Sequence, residues 1–76
     1  MKYETFRQAV IDRIKELSEI RGLSINQLCK ISRVSNSTIS KFFNDPRASI
    51  TLDTLEKLCY GLRIRWDDFF DDPRFK

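Results

Sequence analysis

Two short amphipathic segments, 25–32 and 36–44, are separated by only three residues, and this spacing restricts the fold more than any other feature of the chain. Within each segment the apolar residues recur at intervals of three and four, which indicates a helix. Ser24 and Ser35 immediately precede the two segments, and serine is a favoured N-cap residue. The pattern therefore predicts two short helices joined by a tight turn at residues 33–34.

Apolar residues elsewhere predict three further helices. Residues 5–21 form an amphipathic helix that ends at Gly22, because glycine readily adopts the left-handed conformation that follows a helix. A fourth helix runs from about Leu52 to Leu62 after Thr51 as its N-cap, and a fifth lies around 66–70. Residues 71–76 form an acidic and aromatic tail. The predicted fold class is all-α, with five helices around one core.

The inward-facing residues can be assigned from the same spacing. In the first and second predicted helices they are Phe6, Val10, Ile14, Leu17 and Ile20, followed by Ile25, Leu28 and Cys29, with Ile31 as a further candidate. In the third and fourth they are Ile39, Phe42 and Phe43, followed by Leu52, Leu55, Leu58, Cys59 and Leu62.

Length and composition limit the class of protein. Seventy-six residues suffice for one small domain, 1–76, with the two-helix segment at about 24–44. A content of 41% hydrophobic and 33% charged residues excludes a disordered or low-complexity chain. No apolar run reaches the ~18–20 residues that a membrane helix needs, and the first residues lack an apolar signal core. We therefore expect a cytoplasmic protein.

Residues suited to catalysis or metal binding are few. The chain has no histidine, so histidine-based catalysis is excluded, and two cysteines cannot form a four-ligand zinc site. Cys29 and Cys59 lie on apolar helix faces, which favours buried free thiols over a redox pair. Four aspartates lack the spacing and glycine of a calcium loop, which favours capping and solubility over ion binding: Asp67, Asp68, Asp71 and Asp72. We expect no metal and no cofactor.

Positive charge is concentrated in the middle of the chain. The net charge is +3, yet residues 20–44 contain four basic residues, Arg21, Lys30, Arg33 and Lys41, and no acidic residue. Such a distribution favours a polyanionic partner, with chance as the alternative in so small a sample.

The third predicted helix carries an unusual outer face. Spacing of about 100° per residue places Ser37, Ser40, Lys41 and Asn44 on the side opposite its apolar residues. Small hydroxyl and amide groups with one cation and no carboxylate let a helix approach a surface closely and offer it donors and acceptors. These properties suit a helix in the major groove of DNA. The alternative is that these serines only cap helices or face solvent.

The chain resembles the Cro-like, xenobiotic-response-element (XRE) family of helix-turn-helix DNA-binding proteins, which includes many phage repressors. The first matching block comprises Gly22-Leu23-Ser24, Leu28-Cys29, Val34-Ser35-Asn36-Ser37-Thr38-Ile39-Ser40 and Asn44. The second comprises Ile50-Thr51-Leu52-Asp53-Thr54-Leu55-Glu56-Lys57-Leu58-Cys59, Leu62-Arg63-Ile64 and Asp68-Phe69-Phe70. Together they span about residues 6–70.

The resemblance implies a five-helix, phage-repressor-like fold that binds double-stranded DNA. By the same similarity, base-reading positions are occupied by Asn36, Ser37, Thr38, Ser40 and Lys41. Positions that contact phosphates are occupied by Asn26, Gln27, Ser35, Asn44 and Arg47.

Four departures from the family pattern alter local expectations. Arg33 replaces the usual turn glycine and must adopt an unfavourable backbone. Ile25 replaces a glutamine that often contacts phosphate in the family, so this contact falls to Asn26 or Gln27 or is lost. Ser18 and Phe43 replace an arginine–glutamate pair, which predicts apolar packing there. Asp45 replaces a glycine and brings a carboxylate close to the DNA backbone.

The expected function is that of a sequence-specific, double-stranded DNA-binding transcriptional regulator, such as a mobile-element repressor. A protein-interaction module on the same fold, such as an antitoxin-like partner, is the alternative, and an enzyme is disfavoured. One recognition helix reads few base pairs, so we expect a homodimer on a near-palindromic operator, weak in free solution and formed mainly on DNA. Its expected contacts are Trp66, Phe69 and Phe70, unless these aromatics serve only the core.

Overall fold

The computed structural model describes residues 5–76, and within this part of the chain all regular secondary structure is helical. The elements are α1 (Phe6–Ile20), α2 (Ile25–Ser32), α3 (Asn36–Asn44), α4 (Leu52–Gly61), α5 (Trp66–Phe70) and a short 3-10 helix (Pro73–Phe75). The predicted five-helix, all-α fold is confirmed, and the predicted helix limits agree to within one residue. Residues 1–4 of the predicted domain lie outside the described residues. Across residues 5–76, no helix has the length and apolarity needed to cross a membrane.

The predicted N-caps all form. The side chains of Ser24, Ser35 and Thr51 each accept a hydrogen bond from the backbone N–H three residues later. At Ser24 the contact is reciprocal, because Gln27 Oε1 accepts a hydrogen bond from the Ser24 amide at 2.8 Å. These caps satisfy amide groups that a helix leaves without partners in its first turn, and they determine where α2, α3 and α4 begin.

The turn between α2 and α3 has a left-handed residue that is not glycine. Arg33 has φ 59° and ψ 38°, and the amide of Val34 donates to the carbonyl of Cys29 at 3.0 Å. This conformation costs a residue with a Cβ about 1 kcal/mol, and the helices on either side enforce it. The expected unfavourable backbone at Arg33 is confirmed, and Gly22 ends the α1 region at φ 68° as predicted.

The core lies where α1, α2 and α4 meet, with α3 and α5 closing it. Its buried apolar residues are Ala9, Val10, Ile11, Ile14, Leu17, Leu28, Cys29, Ile39, Phe42, Leu55, Leu58, Cys59, Leu62 and Phe69. Helix α2 packs against α4 more extensively than any other described pair of elements. Gly61 allows this approach, since a Cβ there would lie 3.2 Å from Leu28 Cδ1 and would collide with Ser32 Oγ.

Four residues predicted to face inward are instead exposed: Phe6, Ile20, Ile31 and Leu52, at 55%, 69%, 49% and 73%. Each stands at or next to a helix end. Apolar spacing identifies the correct stripe on a helix, but the terminal turns extend past the neighbouring helices that would cover them. Ile25 and Phe43 are only partly buried, whereas Ala9 and Ile11 join the core without having been predicted there.

Two arginines of α1, Arg7 and Arg13, and its C-cap residue, Arg21, donate to backbone carbonyl groups that lie at the ends of other helices. Arg13 donates to the carbonyls of Asp68 and Phe69 in α5, at 2.9 and 2.8 Å. Arg21 donates from Nε to the carbonyl of Leu62, at 2.8 Å, immediately after α4. The third arginine, Arg7, reaches the end of α3. Carbonyls in the last turn of a helix lack partners within the helix, and a cation also interacts favourably with that end of the dipole.

The segment predicted as a tail packs against α1. Four ion pairs form a closed ring among Arg13, Glu16, Asp72 and Arg74, with N–O distances of 2.8–3.2 Å. The backbone amide of Arg74, together with the guanidinium groups of Arg74 and Arg13, holds the pKa of Asp72 below its usual range. The Phe75 ring lies 5.0 Å from that of Phe70, so the segment is attached through both charge and aromatic contact.

Candidate nucleic-acid interface

The outer face of α3 is exposed along its whole length. Ser37, Ser40, Lys41 and Asn44 are all exposed. On the opposite side of the helix, Ile39 and Phe42 are buried at 1% and 3% exposure, and Phe43 is partly buried. The polar stripe predicted from helical spacing is therefore a surface of the folded protein, and no carboxylate belongs to it.

Hydrogen bonding divides the five predicted base-reading residues into two groups. The Thr38 hydroxyl lies 2.7 Å from Ser35 Oγ, and Ser40 interacts with the Asn44 amide, which donates to the Ser40 carbonyl at 2.8 Å. The Ser37 hydroxyl makes a longer contact of 3.3 Å with Ser35 Oγ. By contrast, within residues 5–76 the side chains of Asn36 and Lys41 make no hydrogen bond or ion pair. Both residues are exposed, so their polar groups are accessible to solvent.

A groove of about 400 Å³ separates the first turn of α2 from α3. Asn26 lines its α2 side, and Asn36, Ser40 and Asn44 line its α3 side. The structure thus brings a predicted phosphate-contacting residue beside predicted base-reading residues. Gln27 is exposed on the same turn, where its Oε1 accepts the hydrogen bond that caps α2. Ser35 is also exposed, with its Oγ accepting from the Thr38 amide at 3.2 Å.

Asp45 has a structural role in the loop that follows α3. Its Oδ1 accepts a hydrogen bond from the Arg47 amide at 2.9 Å, and its carbonyl accepts one from the Ala48 amide at 2.9 Å. The carboxylate is half-buried, and the Arg47 side chain is exposed. The acid expected near the DNA backbone therefore shapes the turn that carries Arg47.

Of the four basic residues in 20–44, one makes hydrogen bonds within the protein and three have exposed side chains without such bonds to residues 5–76. Arg21 donates to the carbonyls of Leu62 and Arg63, so its guanidinium holds α1 against the end of α4. Lys30, Arg33 and Lys41 are exposed. Among the described residues, none of these three cations forms an ion pair with a carboxylate, and their charge remains available to a polyanion.

Phe43 and Ser18 occupy the positions of the charged pair found in many family members. Phe43 packs against the core cluster, as expected, and the Lys15 ammonium lies 5.0 Å from the centre of its ring. Ser18 is buried at 2% exposure, and its hydroxyl has no hydrogen-bond partner within residues 5–76. A cation–π contact from α1 thus supplements the apolar packing beside α3.

Two predicted dimer contacts reach the surface and the third does not. Trp66 is 40% exposed and Phe70 is partly buried, with their ring centroids 5.4 Å apart. Phe69 is 0% exposed, because its ring lies against Phe70 and Phe75 at 4.9 and 6.1 Å. The assignment of Phe69 to a dimer contact is therefore wrong for the folded chain, in which it is a core residue.

Both thiols are free and buried, as predicted. Burial, with a smaller effect from Glu56, raises the pKa of Cys59 to about 11, and burial also raises the pKa of Cys29. Neither thiol forms a thiolate near neutral pH, which agrees with a packing role.

Comparisons with known proteins agree with this arrangement. Residues 13–74 match the family model described as the Cro/C1-type HTH DNA-binding domain. The chain is 34% identical over 56 residues to the uncharacterized HTH-type transcriptional regulator RghRB of Bacillus subtilis (strain 168). That match covers 74% of this chain but only 40% of RghRB. The crystal structure of the prophage Lp1 protein 11 is similar with a TM-score of 0.86, at 28% identity over 97% of both chains. The chain therefore belongs to the Cro/C1-type helix-turn-helix family of DNA-binding domains.

Proposed function

We propose that this chain is a sequence-specific, double-stranded DNA-binding transcriptional regulator that inserts α3 into the major groove. The observation that carries this proposal is the exposed, carboxylate-free face of α3, with the side chains of Asn36 and Lys41 turned to solvent. The similarity to RghRB, named a transcriptional regulator, supports the regulatory part. We further propose that residues 1–76 act as one DNA-binding domain.

Base reading is assigned to α3 and backbone anchoring to its surroundings. An asparagine amide pairs with adenine through two hydrogen bonds, and a lysine ammonium donates to guanine O6 and N7. Asn36 and Lys41 therefore discriminate bases, while Ser37, Thr38 and Ser40 permit close approach and add weaker contacts. Asn26, Gln27, Ser35, Asn44 and Arg47 contact phosphates, which set the register of the protein on the duplex without reading its sequence.

Selection of bound sites from a pool of random duplexes tests the proposal directly. Repeated rounds with the wild-type chain are expected to enrich one motif in which adenine and guanine occur at defined positions. If the pool remains random after selection, sequence-specific recognition is refuted, and the protein-interaction alternative gains support. A pool of single-stranded DNA with the same composition serves as the control.

Alanine variants are expected to separate reading from anchoring. Asn36→Ala and Lys41→Ala should each cost about 1–3 kcal/mol on the selected site and relax the preference at one base pair. Arg47→Ala should weaken selected and mismatched duplexes by the same factor, because a phosphate contact does not depend on base identity. Affinities are measured for each variant against a panel of single mismatches. Matching profiles for Lys41→Ala and Arg47→Ala would contradict the proposed placement of α3.

We also propose that two copies bind a near-palindromic operator through an apolar surface that includes Trp66 and Phe70. Two-fold pairing would place two α3 helices about one DNA turn apart, ~34–36 Å. Native mass spectrometry of the selected site is expected to show two protomers per duplex. Trp66→Glu should shift this to one, because a carboxylate on that surface disfavours apolar contact. Arg65→Glu, at an exposed neighbouring position, is the matched control; one wild-type protomer per site would rule out the dimer.

A further inference from the structure

Arg7 in the first turn of α1 contacts three backbone carbonyl groups around the end of α3. Its Nη2 donates to the carbonyls of Phe42 and Asp45, the latter at 2.7 Å, and its Nε donates to that of Ala48 at 3.0 Å. The guanidinium also lies over the Phe42 ring, 5.2 Å from its centre. Arg7 is half-buried, and these contacts direct it towards the protein rather than towards solvent.

The end of α3 lacks the usual means of termination. Its C-cap, Asp45, is extended at φ −103° and ψ 112°, and the Asp45 amide donates to the carbonyl of Lys41. A glycine in the left-handed conformation commonly supplies further bonds at such a position, but this chain has none there. The Arg7 guanidinium supplies them instead, with a positive charge at the negative end of the helix dipole.

The same guanidinium holds both ends of the turn that presents Arg47. The turn is closed internally by the hydrogen bond from the Ala48 amide to the Asp45 carbonyl and by the bond from the Arg47 amide to Asp45 Oδ1. Since Arg7 donates to the carbonyls of Asp45 and Ala48, it links this turn to α1, while the Arg47 side chain is exposed. Loss of Arg7 would remove these bonds between the turn and α1.

We propose that Arg7 is a positioning residue for DNA binding, which holds the end of α3 and the Arg47 turn in the arrangement that meets the phosphate backbone. It does so through its bonds to the carbonyls of the turn and without touching DNA. This inference rests on the proposed function, and it adds a determinant of affinity that lies outside the helix-turn-helix segment.

A double-mutant cycle between Arg7 and Arg47 tests the inference. Affinity for the selected duplex is measured across a salt series for the wild type, Arg47→Ala, Arg7→Met and the double variant. Arg47→Ala is expected to reduce the log–log salt slope by about 0.9 per protomer, the value for one lost phosphate contact. Arg7→Met should reduce the slope by the same amount. Adding Arg47→Ala to Arg7→Met should then change affinity by less than about 1.5-fold, since the same contact is already lost.

Arg13→Met is the matched control. It removes one positive charge and two donations to helix-terminal carbonyls, but those carbonyls belong to Asp68 and Phe69 in α5. It also removes the ion pairs of Arg13 with Glu16 and Asp72, which lie away from α3. The control is expected to lower thermal stability while retaining the wild-type salt slope and the full effect of Arg47→Ala. If Arg7 had a purely structural role, Arg7→Met would retain the wild-type salt slope and the full effect of Arg47→Ala, as Arg13→Met is expected to do. Identical profiles for the two variants, or an unchanged Arg47→Ala effect beside Arg7→Met, would overturn the inference.

A measurement without DNA separates this inference from the proposed function. Amide hydrogen exchange at Ala48 should accelerate in Arg7→Met relative to the amides of α2, because the carbonyls that frame its turn lose their donor. Exchange at Ala48 that remains at the wild-type rate refutes the inference even if the wild type binds DNA as proposed. If Arg7→Met does not fold, Arg7→Lys is used in its place, since it keeps the charge with fewer donors, and intermediate exchange and coupling are expected.

Discussion

Replacing Phe69 by alanine is expected to lower the free energy of unfolding by about 3–5 kcal/mol, the range for a fully buried phenylalanine. The side chain is 0% exposed and lies among the aromatic rings that join α5 to the C-terminal 3-10 helix. Helix α5 has only five residues and no side-chain N-cap, so its position depends on this burial. Small domains have a total stability of about 5–15 kcal/mol, so the loss should be plain in urea unfolding followed by circular dichroism.

Phe6→Ala is the matched control. Phe6 belongs to the same aromatic cluster, with ring centroids 5.9 Å from Phe70 and 5.6 Å from Phe75, yet it is 55% exposed. We expect its loss to cost about 1 kcal/mol, in line with an exposed aromatic pair. Equal losses for the two variants would show that Phe69 does not anchor the core as described.

The second large expected effect is a loss of affinity for DNA as the salt concentration rises. The exposed cations of residues 30–47 form no ion pair within the described part of the chain, and they are Lys30, Arg33, Lys41 and Arg47. If Lys30, Arg33 and Arg47 contact the DNA backbone in each of two protomers while Lys41 reads a base, about six phosphates are neutralised, and affinity should fall by about 10³ between 50 and 200 mM salt. Fluorescence anisotropy on a labelled duplex gives the slope of log affinity against log salt.

Lys76→Ala provides the control for that titration. Its ammonium pairs with Asp71 at 2.9 Å, in the segment that packs against α1, so its removal should leave the slope unchanged. Arg47→Ala should make the slope shallower in the same assay. A wild-type slope near zero on every duplex would contradict binding through the phosphate backbone. A shallower slope for Lys76→Ala would show that the DNA-binding surface includes the C-terminal segment and so contradict the proposed interface.

The helices were predictable because their signals are local. Ser24, Ser35 and Thr51 bond to amides three residues later, and Gly22 adopts a positive φ. Each of these features involves only neighbours in the chain, so sequence order alone identifies it. The left-handed Arg33 was predictable for a different reason, since the family resemblance indicated a glycine-like conformation at that place.

Long-range contacts could not be predicted in the same way. Arg7, Arg13 and Arg21 each donate to backbone carbonyls, which every residue possesses, so no particular residue type marks these contacts. The exposure of Leu52 and Phe6 depends on where the neighbouring helices end, which apolar spacing does not encode. Phe69 and Phe70 are adjacent and chemically identical, and only the packing of α5 decides which one is buried.

The candidate interface was partly predictable. Helical spacing placed Ser37, Ser40, Lys41 and Asn44 on one exposed face, because the geometry of a regular helix follows from residue number. Spacing could not show that the Thr38 hydroxyl is hydrogen-bonded to Ser35, whereas the Asn36 side-chain amide has no such partner in the described residues, since side-chain rotamers decide this. Nor could it show that Arg7 supports the turn carrying Arg47. The base and phosphate contacts themselves stay predictions.

The long-range hydrogen bonds of Arg7, Arg13 and Arg21 also have a consequence for folding during synthesis. Helix α1 leaves the ribosome before the carbonyls of Phe42, Leu62 and Phe69, its later hydrogen-bond partners, which lie between 35 and 56 residues further along the chain. At about 5–20 residues per second, these partners are synthesised roughly 2–11 s after their arginines. The contacts of α1 with α2 involve early parts of the chain, whereas its contacts with the 3-10 helix (Pro73–Phe75) need almost the whole chain. Helix α1 therefore acquires its full set of native contacts only when synthesis is nearly complete.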